Sequence, residues 1–430
     1  MKYFKSVSLY TLAGFIGAGV NFLIMPVLSH YLSPADYGLL ALFNTYITIL
    51  IPLVGLLANS ILSIEYFKEK DKKVFADKFT SVQVVPVITS IVLSLLVWQF
   101  YSRLTHLMEL DGTSQAWGFV IVLITISTIY TEQLFSFLVI EKKASLYVAY
   151  TLLKVVIEIS LTILFVIYKK WNWEGRMYSW LITSILFMIV GFFYFYKKGY
   201  LRGTLRLPFI KEGLLFGLPL ILHTIGKFVI NQSDRLFIAK MISIDEAGIY
   251  NIGYTVGMLI LIIINAFFNF YTPFLLERLV DLTDEKKIQI VRMNYLYSLG
   301  IIIILVVITF ITPYFFRFLI DPHYTSGIKY VFWVGLGYVF WGGYMLFTNY
   351  IFFFNKTKIL GWLAVINVIT NLLFNYFFIK WVGAIGAAYA TALSFFLVFL
   401  IIAYHVNRLV SLPWFDFKKI FYKQNQEIQK

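Results

Sequence analysis

Residues 227–250, KFVINQSDRLFIAKMISIDEAGIY, carry a lysine, an asparagine, an aspartate and an arginine inside an otherwise apolar run and close on a polar turn ending at Gly248 and Tyr250. An ionisable group in hydrocarbon costs from about 3 to more than about 10 kcal/mol, so such residues line a protein interior or a wet cavity. The stretch therefore reads as a membrane-spanning helix with one polar face. The 430-residue chain around it agrees: 60% of it is hydrophobic and 13% charged, with a mean hydropathy of +0.80, against roughly 25% charged in a soluble domain. This is the composition of an all-α polytopic membrane protein. The formal charge of +14 comes from Lys and Arg in short clusters between apolar runs, the pattern of a topology signal and not of a nucleic-acid surface. There is no cysteine, which excludes disulfides and thiolate chemistry.

Working outward, apolar segments long enough to span lie near residues 7–31, 38–62, 79–102, 117–140, 145–168 and 176–196, then near 214–240, 250–276, 288–316, 325–354, 358–379 and 384–407. That predicts about twelve transmembrane helices. The first has the basic start of a signal peptide but no small-residue cleavage site, and reads as a retained span. Basic residues favour the side holding both termini by about three to one, which predicts cytoplasmic N- and C-termini. Arg103, Lys169, Lys170, Arg176 and Lys240 are among the few assigned outside.

The closing turn recurs. Leu32-Ser33-Pro34-Ala35-Asp36-Tyr37-Gly38-Leu39 follows the first span as Ile242-Ser243-Ile244-Asp245-Glu246-Ala247-Gly248-Ile249 follows the seventh, and Trp173–Tyr178 aligns in the same way with Ala384–Tyr389. Each half, 1–205 and 206–430, then holds six spans, the second ending in a short basic tail. Six spans return the chain to the same side, so the halves are parallel repeats about an axis along the membrane normal, as in alternating-access transporters.

The motifs Asn21-Phe22-Leu23-Ile24-Met25-Pro26 and Leu32–Gly38, paired with Asp234-Arg235-Leu236-Phe237-Ile238 and Gly248-Ile249-Tyr250-Asn251, resemble the polysaccharide flippases of the multidrug/oligosaccharidyl-lipid/polysaccharide exporter superfamily. The resemblance covers the whole chain. It implies two six-helix bundles around a central cavity in a bacterial cytoplasmic membrane, moving undecaprenyl-pyrophosphate-linked oligosaccharide from the cytoplasmic to the outer leaflet. It also implies membrane lipid, a polysaccharide polymerase and a chain-length regulator as partners, and no nucleic acid. Lipid II flippases of the superfamily usually carry two C-terminal spans beyond the twelve expected here. Drug exporters of the superfamily share the span count, so an ion-coupled small-molecule antiporter is the alternative.

The polar residues sort by helical face. His223, Lys227, Asn231 and Asp234 share one stripe of the seventh helix. Lys227 lies near mid-bilayer with no carboxylate within a turn, and Asp234 is about 10 Å further along the axis. An unpaired cation there needs water, an acid on another helix or an anionic ligand. Arg235, on a neighbouring face about two turns nearer the outer surface, is expected to snorkel toward water. Lys154 shares a face with Glu158, and the short connector 141–144 reflects Glu132 to the same depth. This reads either as a structural charge cluster or as part of the site.

Asn21 lies with Tyr10, Gly14 and Gly17 on helix one, Asn44 with Thr48, Gly55 and Asn59 on helix two, and Asn269 with Asn265 and Thr272 on helix eight. Asn367, Asn371 and Asn375 recur every four residues on helix eleven. Each stripe fits cavity lining or interhelical hydrogen bonding equally well. The substrate-binding candidates are thus Lys227, Asn231, Arg235, His223, Lys154, Asn21, Asn44 and Asn269, with Asp234, Glu158 and Glu132 as candidate proton or sodium sites. No catalytic or metal role is assigned, and no cofactor beyond a possible coupling H+ or Na+. The chain has no phosphate-binding glycine loop and no histidine pair at metal spacing, and the outer fragment His106, Glu109, Leu110, Asp111 lacks the surrounding structure an active site requires.

Overall fold

The computed structural model describes residue 19 and residues 22–110 and 113–416. Among these, every regular element is a helix and no strand occurs, as expected where hydrocarbon offers the backbone no partner but itself. A helical stretch at 22–29 (α1) precedes α2 (Pro34–Gly55), a 3₁₀ turn (Ala58–Ile61), α3 (Leu62–Lys68), α4 (Lys72–Leu107), α5 (Gln115–Ile140), α6 (Ala144–Thr162, continued as a π-turn to Tyr168), α7 (Asn172–Lys197) and α8 (Leu207–Met241). Then come α9 (Ile244–Gly257), α10 (Leu259–Val280), α11 (Asp284–Leu319), α12 (Ile328–Phe353), α13 (Lys358–Val382) and α14 (Ile385–Leu409). Ten helical segments among the described residues are long and apolar enough to cross a membrane. α8, of 35 residues, is a further long helix, in keeping with about twelve spans; the expected first span lies mostly outside the described residues. The chain forms two compact units, Met1–Ile249 and Tyr250–Lys430.

Helix starts follow local chemistry. Ser33 and Asp36 form a capping box at α2, each side chain accepting the other's backbone N–H, with Pro34 at the first helical position. Asp71, Ser114 and Thr283 cap α4, α5 and α11.

One expectation fails at helix two. The apolar run 38–62 is not continuous: α2 ends at Gly55, and Leu56 and Leu57 both adopt left-handed conformations (φ 45° and 48°) before the 3₁₀ turn. α8 covers the break so closely that a methyl group on Gly217 would lie 2.2 Å from the Leu56 carbonyl oxygen. Irregular backbone at membrane depth persists only where protein covers it. The Thr89 hydroxyl satisfies the Val54 carbonyl at that break.

The repeated turns have a tertiary role. A methyl group on Gly38 would sit 2.0 Å from the Ile244 carbonyl oxygen, and one on Gly248 would sit 2.0 Å from that of Pro34. The starts of α2 and α9 thus cross backbone to backbone, and only glycine permits that approach. The second repeated motif behaves alike in each half: Gly175 packs on the Phe165–Val166 backbone and Gly386 on that of Phe378–Ile379. In the first unit an aromatic core of Phe75, Phe79, Phe137, Phe195 and Tyr200 lies between α4, α5 and α7. In the second, α12 and α14 close through small residues, Gly337 against Ala392.

Candidate functional site

Three helices of the first unit bring charges together inside their membrane-spanning lengths. Lys154 Nζ lies 3.6 Å from Glu158 Oε2, the i,i+4 pair expected on α6. The stronger partner of Glu158 comes from α7: Arg176 Nη2 is 2.7 Å from Glu158 Oε1, and its Nη1 donates to Thr162 Oγ1 at 3.1 Å. The Thr162 hydroxyl in turn donates to the Glu158 backbone carbonyl at 2.7 Å. Sequence reasoning placed Arg176 among the outer-loop basic residues and missed this role. The available signal was its position in the first turns of an apolar helix that folds back along α6 after a connector of only a few residues.

Glu132, on α5, is exposed and makes no hydrogen bond or ion pair with the described residues, although Lys154 is near enough to act on it electrostatically. The cluster therefore holds one carboxylate neutralised twice, one carboxylate left open, and a lysine whose side chain is 30% exposed between them. Chemically, such a set can offer a cation to an anionic ligand at Lys154 and a proton-accepting oxygen at Glu132.

The polar part of α8 differs from expectation. Arg235 does not snorkel: it is 4% exposed, Asp234 beside it is 0% exposed, and Arg235 Nη1 donates back along the helix to the Asn231 carbonyl at 2.6 Å. α8 packs along α2, and these two side chains are covered by protein and not open to the membrane surface. Asn231 is half-buried one turn earlier, which brings two of the expected residues into contact. The backbone of His223 and Lys227 belongs to α8, but their side chains lie outside the described residues, as does Asn21. Asn44 on α2 and Asn269 on α10 are both exposed.

Other polar features resolve as structure. Asn367, Asn371 and Asn375 are buried, with Asn371 Nδ2 donating to Ser394 Oγ on α14 at 3.4 Å and Asn375 Nδ2 to Asn371 Oδ1 at 3.1 Å. Asn371 thus bonds across to α14, and Asn375 bonds back along its own helix. A cavity of about 210 Å³ between α2, α4 and α5 is lined by Phe43, Leu93, Val97, Trp117 and Ile121 among others. The hydroxyls of Tyr46, Tyr101, Thr105 and Thr113 that line it are all spent on backbone carbonyls, so it presents carbon and suits neither sugar nor phosphate. Trp173 stacks on Phe43 inside the unit. No cluster of metal-ligating side chains occurs among the described residues.

Comparison with known proteins places this architecture. Two Haemophilus influenzae proteins, one described as Lsg locus putative protein 1 and one as an uncharacterized membrane protein, are each 24% identical, over 384 and 383 residues, covering 86% of this chain and 89% of theirs. Among solved structures, an inward-facing multidrug resistance MATE family transporter of the MOP superfamily superposes with a TM-score of 0.74 at 14% identity, covering 94% of this chain and 98% of its own. The lipid II flippase MurJ, in an inward closed conformation, gives 0.69 at 17% identity, covering 93% and 87%. At such identities these structures share the fold. The family model described as polysaccharide biosynthesis protein matches residues 3–277, well over half of the sequence, and the chain belongs to that family.

Proposed function

We propose that this membrane protein is a flippase that carries undecaprenyl-pyrophosphate-linked oligosaccharide from the cytoplasmic to the outer leaflet by alternating access. The observation that carries the reading is the set of Glu132, Lys154, Glu158 and Arg176 within membrane-spanning helices of a polysaccharide biosynthesis family member. Charges held at such depth at a cost of several kcal/mol serve a polar passenger or an ion. A pyrophosphate carries about two charges, and its hydrogen bonds to Lys or Arg are roughly twice as strong as neutral ones. Lys227, His223, Asn231, Arg235, Lys154, Asn21, Asn44 and Asn269 form the substrate-binding set, while the lipid tail stays in the bilayer. Glu132, the unpaired acid, leads the coupling candidates over Glu158 and Asp234, with H+ or Na+ as the ion. The halves 1–205 and 206–430 alternate access in a bacterial cytoplasmic membrane with both termini inside. A polymerase and a chain-length regulator act on the delivered units.

The fold shared with a multidrug transporter supports the second reading, ion-coupled export of small molecules. The test is reconstitution of the purified chain in vesicles holding a lipid-linked oligosaccharide, with a lectin reporting glycan on the far leaflet. Transfer by the wild-type chain, lost in well-expressed Lys227→Ala and partly kept in Lys227→Arg, is the expected result. Dye export without glycan transfer would support the antiporter, and full transfer by Lys227→Ala would remove Lys227 from the site.

A further inference from the structure

The connector between α7 and α8, residues 198–206, is fastened to the first unit along its length. Gly203 lies against α4 so closely that a methyl group there would be 2.2 Å from the Ala76 carbonyl carbon. Its N–H reaches Thr80 Oγ1 at 3.3 Å, and that hydroxyl donates to the Tyr200 carbonyl at 3.1 Å. Asp77, with a side chain 3% exposed, accepts the Thr204 N–H at 2.7 Å and pairs with Arg206 Nη2 at 2.9 Å. Arg206 N–H donates to Ser81 Oγ at 2.9 Å. Upstream, Glu141 accepts from the Tyr200 hydroxyl at 3.0 Å and pairs with Lys198 at 2.9 Å.

With Gly203, Thr204 and Arg206 bonded to α4, the connector leaves Leu205 and Leu207 uncovered. Arg206 is extended, so Leu205 and Leu207 project to one side while Arg206 turns to Asp77. They are 62% and 79% exposed. Arg202 and Lys211 flank them, also exposed. Lys78 holds the neighbouring α3 and the second turn of α8 together through Glu65 at 2.5 Å and Glu212 at 3.9 Å. α3 adds exposed Phe67 and Lys68, and Lys70, Lys72 and Lys73 follow it, all exposed. Apolar side chains held rigidly among a basic excess, with Asp71 and Glu212 the exposed acids beside them, match neither water nor a soluble phosphate alone. They match a surface that is apolar within and anionic at its face.

We infer that the α7–α8 connector and the end of α3 form a docking surface for the anionic phospholipid headgroups of the adjacent leaflet, with Leu205 and Leu207 inserted beneath them and Arg202 and Lys211 on the phosphates. The surface is independent of the cargo. It ties the segment joining the two sequence halves to the bilayer and makes lipid charge a determinant of its position.

The chain's lack of cysteine makes the test direct. Full-length Leu205→Cys carrying a nitroxide is placed in nanodiscs of zwitterionic or anionic phospholipid, all free of lipid-linked pyrophosphate, and its collisions with oxygen and with an aqueous nickel reagent are compared. The label becomes shielded from nickel and open to oxygen in anionic discs, and high salt weakens the difference. Arg202→Ala with Lys211→Ala, both solvent-facing, lowers the retention of anionic over zwitterionic lipid on the purified protein by roughly thirtyfold, from the usual contribution of two basic residues near a charged surface. A label open to water in both discs, retained lipid unchanged by the double substitution, or immersion that requires added pyrophosphate lipid overturns the inference.

Discussion

Arg176→Gln is the substitution whose cost the structure fixes most directly. At an effective dielectric of about 20, Coulomb attraction to Glu158 is roughly 6 kcal/mol for Arg176 at 2.7 Å and about 4.6 kcal/mol for Lys154 at 3.6 Å, before desolvation is subtracted. Removing Arg176 leaves the Glu158 carboxylate in a low-dielectric interior with its weaker, more exposed partner, and breaking a buried pair in this way costs about 3–5 kcal/mol. Lys154→Ala leaves the Arg176 pair intact and should cost only about 1 kcal/mol, the range of partly exposed pairs. With about 2–4 °C per kcal/mol for a unit of this size, Arg176→Gln should lower the apparent melting temperature by roughly 6–20 °C. Intrinsic tryptophan fluorescence in detergent, recorded for both variants and for Arg176→Gln combined with Glu158→Gln, gives the comparison. The double variant should recover much of the loss because no carboxylate is stranded. An Arg176→Gln protein that melts with the wild type, or Lys154→Ala melting lower than Arg176→Gln, would refute the assignment of Arg176 as the main partner.

Arg235→Ala, at a residue the sequence alone would send snorkelling to water, should sharply reduce the amount of protein in the membrane, since a buried guanidinium and its bond to the Asn231 carbonyl are lost; immunoblotting beside Lys240→Ala, an exposed control on the same helix, checks it. Gly248→Ala should cost about 1–3 kcal/mol through forced separation of α2 from α9, read as a lower melting temperature. Burial raises the Glu141 carboxyl, but hydrogen bonds from Tyr194, Lys198, Lys143 and Tyr200 outweigh it and hold the group below its ordinary value of 4.5. A carboxyl depressed by folding stabilises above its unfolded value, and that contribution is lost as pH falls through the folded value. Glu141→Gln should therefore melt below wild type at neutral pH, with the gap closing as the pH is taken below 4.5.

By itself the sequence determined what depends on neighbours along the chain. Hydrophobic length set the limits of most of the described spans, since a helix in lipid satisfies its backbone locally. The 117–140 run became α5 at 115–140 and the 384–407 run became α14 at 385–409. The Lys154–Glu158 pair was equally legible, because i,i+4 spacing puts both on one face of any helix. Part of the predicted site, His223, Lys227 and Asn21, falls outside the described side chains. What only the tertiary structure decided is which polar face meets which neighbour. It turned Arg176 onto Glu158, buried Arg235, and spent Asn371 on Ser394. It also broke helix two beneath Gly217 and brought the repeated glycines Gly38 and Gly248 together. Hydropathy contains none of this: a polar residue in a span must find a partner, but periodicity gives only the direction it faces, and the identity of the partner is set by the packing of helices far apart in the chain.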